Sequence, residues 1–478
     1  MTSGVLEEIS NWSIEAKEEN TEAYFFHFDD VAKIERGQKN YVIGRKGTGK
    51  TAIAEYLHRP LAFNKFSRLL SFKNFPFNAL YQHADTQYNR PNQYITIWTY
   101  VIYHYICSML ASNAGVCSKV SFDLKSTFDF EVKGALAQSV RKITGKDYSL
   151  SVLGVGGGIS RTLTEIDFDF AKANAALRDF ILEHIDESEY YVIFDELDED
   201  YRDVMNPDRR DGYFELLISL FKAVQNIRGE FAGRIPNVRL VIFLRDDIFD
   251  LCRDVDKNKW LDRAIMLNWD ESQLRNLTKF RLAQAVKICG GETDIEAAWH
   301  KVFSVSTTRF GTGGVKSIET FKYLASRTLL RPRDVISYLR ECARVAQSLG
   351  SELIDNHHIK EAGAAHSSYM RREIIDEVFP VLEDISEILD VISRIRKQIF
   401  SRKEFNDRYR EYQNQLDADR RSKLTETQVL KILFHFNILG NITSGNHRSF
   451  AYNSDVKVLN PDENLCVHNG LIRSLNIL

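Results

Sequence analysis

The chain has little proline, methionine or tryptophan, 8, 5 and 5 residues among 478. It carries no low-complexity tract and no internal repeat, which excludes fibrous and disordered classes. Cysteine is also sparse. Cys107, Cys117, Cys252, Cys289, Cys342 and Cys466 are scattered, with no C-x-x-C pair. That argues against a zinc site or a disulfide scaffold and for a reducing cytoplasm. No excess of either charge exists: the net charge of −3 gives no global sign of a polyanion-binding surface. Any nucleic-acid contact therefore has to come from a local patch. The N-terminus, MTSGVLEEIS, is acidic and lacks an apolar h-region, so no secretory signal is expected. Only the stretch from Pro91 to Ser118, which includes ITIWTYVIYHYICSML, is long and free of Asp, Glu, Lys and Arg. A membrane span needs about 20 predominantly apolar residues. Thr96, Thr99, His104 and several tyrosines interrupt this one, so it reads as a buried helix packed on a sheet, with no membrane partner. What is there is 44% apolar and 27% charged, a globular composition. The length suits about three domains.

The stretch Tyr41 to Thr51, YVIGRKGTGKT, says most about chemistry. Gly44, Gly49, Lys50 and Thr51 fit the phosphate-loop spacing G-x-x-x-x-G-K-[ST]. Tyr41, Val42 and Ile43 supply an apolar strand before the loop, and Ala52 to Leu57 supply a helix-compatible run after it. Triphosphate chemistry needs such a loop because the transferring group carries dense negative charge. Gly44, Gly47 and Gly49 let backbone N–H groups approach the phosphates, and the helix N-terminus adds its dipole. Gly44, Arg45, Lys46, Gly47, Thr48, Gly49, Lys50, Thr51 and Ala52 are thus the expected nucleotide-binding residues. Lys50 is expected to reach the β/γ-phosphates, and the Thr51 hydroxyl to ligate Mg²⁺.

Three further apolar runs, Tyr190 to Phe194, Leu240 to Leu244 and Ala264 to Leu267, alternate with helical patterns. That alternation indicates a parallel α/β sheet covered on both faces. The run YYVIFDELDED delivers Asp195 at the C-terminal end of its strand, where open α/β sheets place their ligands. Asp195 is expected to hold Mg²⁺ through water, and Glu196 to polarise the attacking water. Asp198, Glu199 and Asp200 crowd the same turn, so the base could also be Asp198. The DELD string occurs in helicase boxes too, but the rest of a two-lobed helicase is missing. VRLVIFL ends in Arg245, which could ligate a γ-phosphate or pair locally with Asp246 or Asp247. Arg263, in WLDRAIML, sits where an arginine could reach a neighbour's nucleotide, or could pair with Asp262 or a surface partner. Arg333, in LLRPRDVISYLR, follows a helix start shaped by Pro332 and Asp334. It could close onto the phosphates or face solvent.

Residues 1–37 form a polar, acidic lead-in whose Tyr24–Phe28 aromatic cluster could floor an adenine pocket or simply pack. Between the loop helix and Asp195 lies an insertion at about residues 80–185, in which Gly154–Gly158 reads as a β-hairpin or bulge. From Asp270 to about Met370 the pattern is helical with no strand run. Beyond it, Ser401 and Glu404 form a capping box for a helix through Tyr412. A second helix starts at Thr425 or Thr427, and RSFAYN and NLCVHNGLI, joined by the polar turn Asn453–Asn464, look like a wing. Basic residues between Arg394 and Lys431, Arg420, Arg421 and Lys423 among them, outnumber the acids locally. Over 371–478 the two signs balance. Contact of this region with DNA and with protein both stay open.

Five features, GRKGTGKT, VIFDELD, the strand ending FLRDD, the DR before the last strand and the RPRD helix start, resemble AAA+ ATPases of the origin-recognition type. They also resemble the related bacterial P-loop ATPases of phage-conflict systems. The resemblance covers about residues 38–368 and extends to the winged-helix shape of the C-terminus. It implies an α/β P-loop NTPase core at 38–268 with sheet order 5-1-4-3-2, a helical lid at 269–368 and a winged-helix domain at 369–478. It implies ATP and Mg²⁺ as ligands, with Arg245, Arg263 and Arg333 as sensor 1, finger and sensor 2. It further implies a homo-oligomer that hydrolyses ATP on DNA, as motor or sensor of a phage-defence system with a separate effector protein. Two departures stand out. The long insertion is foreign to the basic pattern, and an arginine at sensor 1 leans toward signalling ATPases of the STAND type. A nucleotide-gated switch that scaffolds an effector is therefore a second expectation.

Overall fold

The computed structural model describes residues 2–59, 62–71, 92–116, 170–198, 207–311, 315–417, 424–453 and 458–477. Gly154–Gly158, Glu199, Asp200, Arg420, Arg421 and Lys423 lie outside the described residues. Chain contacts group the protein into two compact units. One comprises His27–Arg45 and Lys50–Asn268, the other Met1–Phe26, Lys46–Gly49 and Trp269–Leu478.

The first unit is built on five parallel strands: β1 (Tyr41–Ile43), β2 (Lys65–Ser71), β3 (Glu189–Asp195), β4 (Val238–Leu244) and β5 (Ala264–Met266). Their spatial order is β2-β3-β4-β1-β5. From the opposite edge this is 5-1-4-3-2, the order expected from the AAA+ resemblance. Central β1 aligns Val42 with Phe243 of β4 and with Ile265 of β5. Buried on both faces, β1, β3 and β4 read as unbroken apolar runs. The edge strand β2 gives no such signal, because in KFSRLLS only Leu70 is fully buried. The uncharged stretch forms the helix Ile95–Ser112, which buries Trp98, Tyr103, Ile106 and Leu110 against β3, β2 and the helix Pro207–Phe231. Trp98 Nε1 donates to Leu216 O at 3.0 Å, settling the one polar atom of that ring inside the core. No helix among the described residues is long and apolar enough to cross a membrane.

In the second unit the helix Thr2–Ser10 packs on Glu271–Ile288 and Pro332–Ser348, and buries Leu6 and Ile9 in a separate core. Tyr24 and Phe26 pack there as well, with ring centroids 5.8 Å from Trp12 and 5.6 Å from Phe280. The expectation of unbroken helix from 270 to 370 needs correction. Strands β6 (Thr307–Phe310) and β7 (Lys316–Glu319) form an antiparallel ribbon within it. The ribbon buries only Thr308 fully, so no apolar alternation advertises it.

The C-terminal segment has the expected capping box, with Ser401 capping the helix Arg402–Gln415, and of the two candidate starts it is Thr425 that caps Glu426–His435. Strands β8 (Ile399–Phe400), β9 (Leu439–Thr443), β10 (His447–Ser449) and β11 (Asn464–Val467) form a sheet of order β10-β9-β11-β8. The wing is therefore the hairpin β9–β10, not a pairing of RSFAYN with NLCVHNGLI. Gly445 and Asn446, at φ 84° and 63°, turn the chain there in the left-handed region that hairpin loops favour. β11 pairs instead with β9 and β8.

Candidate active site

The phosphate loop leaves β1 at Ile43 and enters the helix Lys50–His58 at its first residue. Gly47 and Gly49 have φ of 80° and 97°, which only glycine adopts without strain. Thr48 is fully buried, and its carbonyl accepts from Trp269 Nε1 at 2.9 Å. Lys50 Nζ donates to Gly44 O at 2.8 Å and Arg45 O at 2.9 Å, folded back onto its own loop. Burial pushes this ammonium below its ordinary range, opposed by the carboxylates of Asp198, Asp195 and Asp246. A cation held this way by neutral carbonyls is available to an anion that can replace them.

Asp195 ends β3 at 4% exposure. The Glu196 N–H and the Thr51 hydroxyl donate to its carboxylate, while Oδ2 is buried with no hydrogen-bond partner. A hydroxyl and a carboxylate oxygen in contact, one acceptor left over, form a hard donor set that fits Mg²⁺. That ion binds through one or two carboxylates together with phosphates and water. Glu196 has φ 54°, a left-handed conformation costing roughly 1–2 kcal/mol for a residue with a side chain. Its Oε2 accepts from Ser71 Oγ at the end of β2. Sequence reasoning missed Ser71 because β2 itself gave no strand signal.

Burial pushes Asp195 up to about 6. The folded state thus keeps this proton at pH values where an unfolded aspartate, ordinarily near 4, has lost it. Stability should accordingly fall as pH rises through the interval from about 4 to about 6. Above it the charged carboxylate costs the ligand-free fold up to about 3 kcal/mol. Asp195→Asn keeps the shape and removes the charge. It is expected to raise the melting temperature at pH 7.5 clearly more than at pH 5, and equal shifts at both would rule out charge burial as the cause.

Arg245, 8% exposed, follows β4 between β1 and β3. Its Nε and Nη2 lie 3.0 and 2.6 Å from the two Asp247 carboxylate oxygens, and Nη1 is 3.4 Å from Asp198. Arg263 donates to Gln38 O at 3.0 Å and borders a cavity of about 260 Å³ that Arg36, Arg228 and Arg239 also line. Burial, then the repulsion of Arg228, lowers its pKa. Within the second unit the Arg333 N–H meets Gly47 O at 3.4 Å, while its guanidinium faces Glu373 at 3.4 Å. Arg331, which sequence reasoning passed over, is 1% exposed. It pairs with Asp334 at 3.0 Å and Glu377 at 2.8 Å, and donates to Lys46 O at 3.1 Å. The signal was in RPRD: an arginine at the N-cap with an aspartate three residues on.

A parallel sheet of this order, with the phosphate loop after β1 and an aspartate ending neighbour-but-one β3, defines a P-loop NTPase fold with the strand order expected of AAA+ proteins. Comparison with known proteins adds detail. A family described as the FunZ-associated C-terminal helical domain matches residues 272–375. The chain is similar to the Walker-type ATPase PABY2304 of Pyrococcus abyssi, at 12% identity and TM-score 0.40, over 94% of this chain and 95% of that one. It is similar to Cdc6p from Pyrobaculum aerophilum, at 12% identity and TM-score 0.33, over 98% and 96% of the two chains. The Aeropyrum pernix ORC2 protein matches at 12% identity and TM-score 0.40, over 95% and 90%. No curated protein matches the chain. Strand order and loop position, not these low superposition scores, carry the fold assignment.

Proposed function

We propose that this chain binds and hydrolyses ATP with Mg²⁺ and works as a homo-oligomer on DNA. The observation that carries the reading is the buried Asp195 carboxylate, bonded to the Thr51 hydroxyl with one oxygen unsatisfied, next in sequence to Glu196. Mg²⁺, when bound, neutralises phosphate charge and polarises the phosphoryl group. Thr51 and Asp195 would hold it. Lys50 would exchange its two loop carbonyls for phosphate oxygens. Glu196, once released by Ser71, would orient the attacking water, with Asp198 as the other carboxylate of that turn. Arg245 and Arg333 would serve as sensors of the γ-phosphate.

Arg263 is proposed to act on a neighbouring subunit's nucleotide. Its guanidinium contacts only backbone carbonyls, and no carboxylate pairs with it among the described residues. Arginine fingers are worth about 10³–10⁵ in rate. Arg263→Ala subunits mixed with Lys50→Ala subunits are expected to recover part of the turnover that each lacks alone. Confirmed mixing without recovery would return Arg263 to a structural role.

For DNA, the helix Glu426–His435 exposes Gln428, Lys431 and His435 on one face. Arg394, Arg396 and Lys403 form no ion pair among the described residues. Lys397, Arg408 and Arg410 are already paired with Glu404, Glu411 and Glu426. A second reading, a slow nucleotide-gated switch that scaffolds an effector, is favoured by one observation. Glu196 and Arg245 are both engaged by protein groups, Ser71 and Asp247. Turnover with and without duplex DNA separates the two. DNA-stimulated hydrolysis is expected; negligible turnover with tightly retained nucleotide would overturn the motor reading in favour of the switch. The phage-defence setting and its effector protein rest on the sequence resemblance.

A further inference from the structure

A cavity of about 330 Å³ opens within the second unit, between the helical segment and the C-terminal segment. Tyr323, Arg327, Lys360 and His366 line it from one side, Asn469 and Arg473 from the other. The two guanidinium groups among its three cations are bonded to neutral groups. Arg327 stacks on the Tyr323 ring, 3.5 Å from the centroid, and donates to Tyr323 O at 3.2 Å. Arg473 donates to Lys360 O at 2.7 Å. Among the described residues, no carboxylate forms an ion pair with Arg327, Lys360 or Arg473. Three positive charges converging on one cavity repel one another, and a multivalent anion relieves that repulsion.

His366 is part of the same wall. It is 1% exposed and stacked on Tyr338 with centroids 4.2 Å apart. Its Nε2 lies 3.1 Å from Arg327 O, and a carbonyl can only accept, so the ring proton is on Nε2. Burial pushes the ring down to about 4, so it is neutral near pH 7 and Nδ1 is an acceptor. Nδ1 is buried with no hydrogen-bond partner. That atom is closed to water-sized molecules, so the residue meets the cavity as a neutral ring and not as an acceptor.

We propose that this cavity binds a small phosphate monoester of the size of a nucleoside monophosphate, its phosphate among Arg327, Lys360 and Arg473. Guanidinium groups match phosphate oxygens geometrically, and phosphate carries more charge than a single carboxylate. The volume lies at the small end of the range for ligand sites, about 300–1,000 Å³. A duplex backbone, by contrast, lies along a surface and does not fill a cavity of this size.

Full-length Lys50→Ala protein, blinded at the phosphate loop, is the material for the test. AMP, GMP, CMP and UMP are titrated into it by calorimetry, with a short DNA duplex in a parallel arm. At least one monophosphate is expected to bind with one-to-one stoichiometry. Adding Lys360→Gln and Arg473→Ala is expected to weaken it at least tenfold. Arg473 is exposed, so Arg473→Glu alone gives a second, fold-neutral variant with the same expected direction. The proposal is overturned if no monophosphate binds, if binding survives these substitutions, or if only the duplex arm responds to them.

Discussion

Lys50→Ala is expected to abolish measurable ATP binding. The lysine is the loop's only cation at the start of the following helix, and its ammonium is held by nothing stronger than Gly44 O and Arg45 O. A triphosphate can therefore take it over without breaking an ion pair. Alanine keeps the helix Lys50–His58, since it is the best helix former. What is lost is a charge-assisted hydrogen bond worth about 3 kcal/mol, so affinity should fall at least about a hundredfold. The carboxylates of Asp195 and Asp198 also lose their neighbouring cation, which makes an incoming polyanion less welcome still. Equilibrium titration with a fluorescent ATP analogue reads the effect, with a melting curve as the folding control. Near-normal affinity in a folded variant would remove the phosphate-loop assignment.

Glu196→Gln is expected to bind ATP normally and to hydrolyse it at least about a hundredfold more slowly, the usual span of general-base catalysis being about 10²–10⁴. Glutamine preserves shape and can still accept from Ser71, but it cannot take a proton from water. The Ser71 contact adds a second arm. Ser71→Ala deletes the donor that holds Glu196 Oε2, at a β2 terminus that pairs Ser71 with Asp195. If that bond restrains the base, Ser71→Ala should raise the turnover of nucleotide already bound, while Ser71→Ala combined with Glu196→Gln should stay inactive. Undiminished hydrolysis in Glu196→Gln would move the base to Asp198. A Ser71→Ala protein with unchanged rate would make the contact a passive one.

Much of the fold was legible because its determinants are local or periodic. The phosphate loop lies in eight consecutive residues, and the apolar runs of β1, β3, β4 and β5 announce a sheet with both faces covered. The capping box at Ser401 is closed by a side chain three residues away. β2 escaped because an edge strand leaves most of its side chains partly exposed. The β6–β7 ribbon escaped because its polar strands pair with each other and need no buried face. The wing was misplaced because RSFAYN and NLCVHNGLI carry strand-like composition without stating which strand lies beside which.

The sequence by itself placed the phosphate-loop motif, since that motif consists of glycines, a lysine and a threonine at fixed spacing along one loop. It also determined the strand that delivers Asp195, because burial on both faces demands a continuous apolar run. Only the tertiary structure decided which partners these residues meet. Ser71 reaches Glu196 across 125 positions, Asp198 reaches Arg245 across 47, and Arg331 rather than Arg333 is sealed beside Lys46 across 285. The cavity around His366 likewise brings together residues from 310 to 473. Spacing along a chain encodes contacts within a turn of helix or a tight loop. Contacts across hundreds of residues depend on how strands order themselves and helices pack, and no short pattern records that.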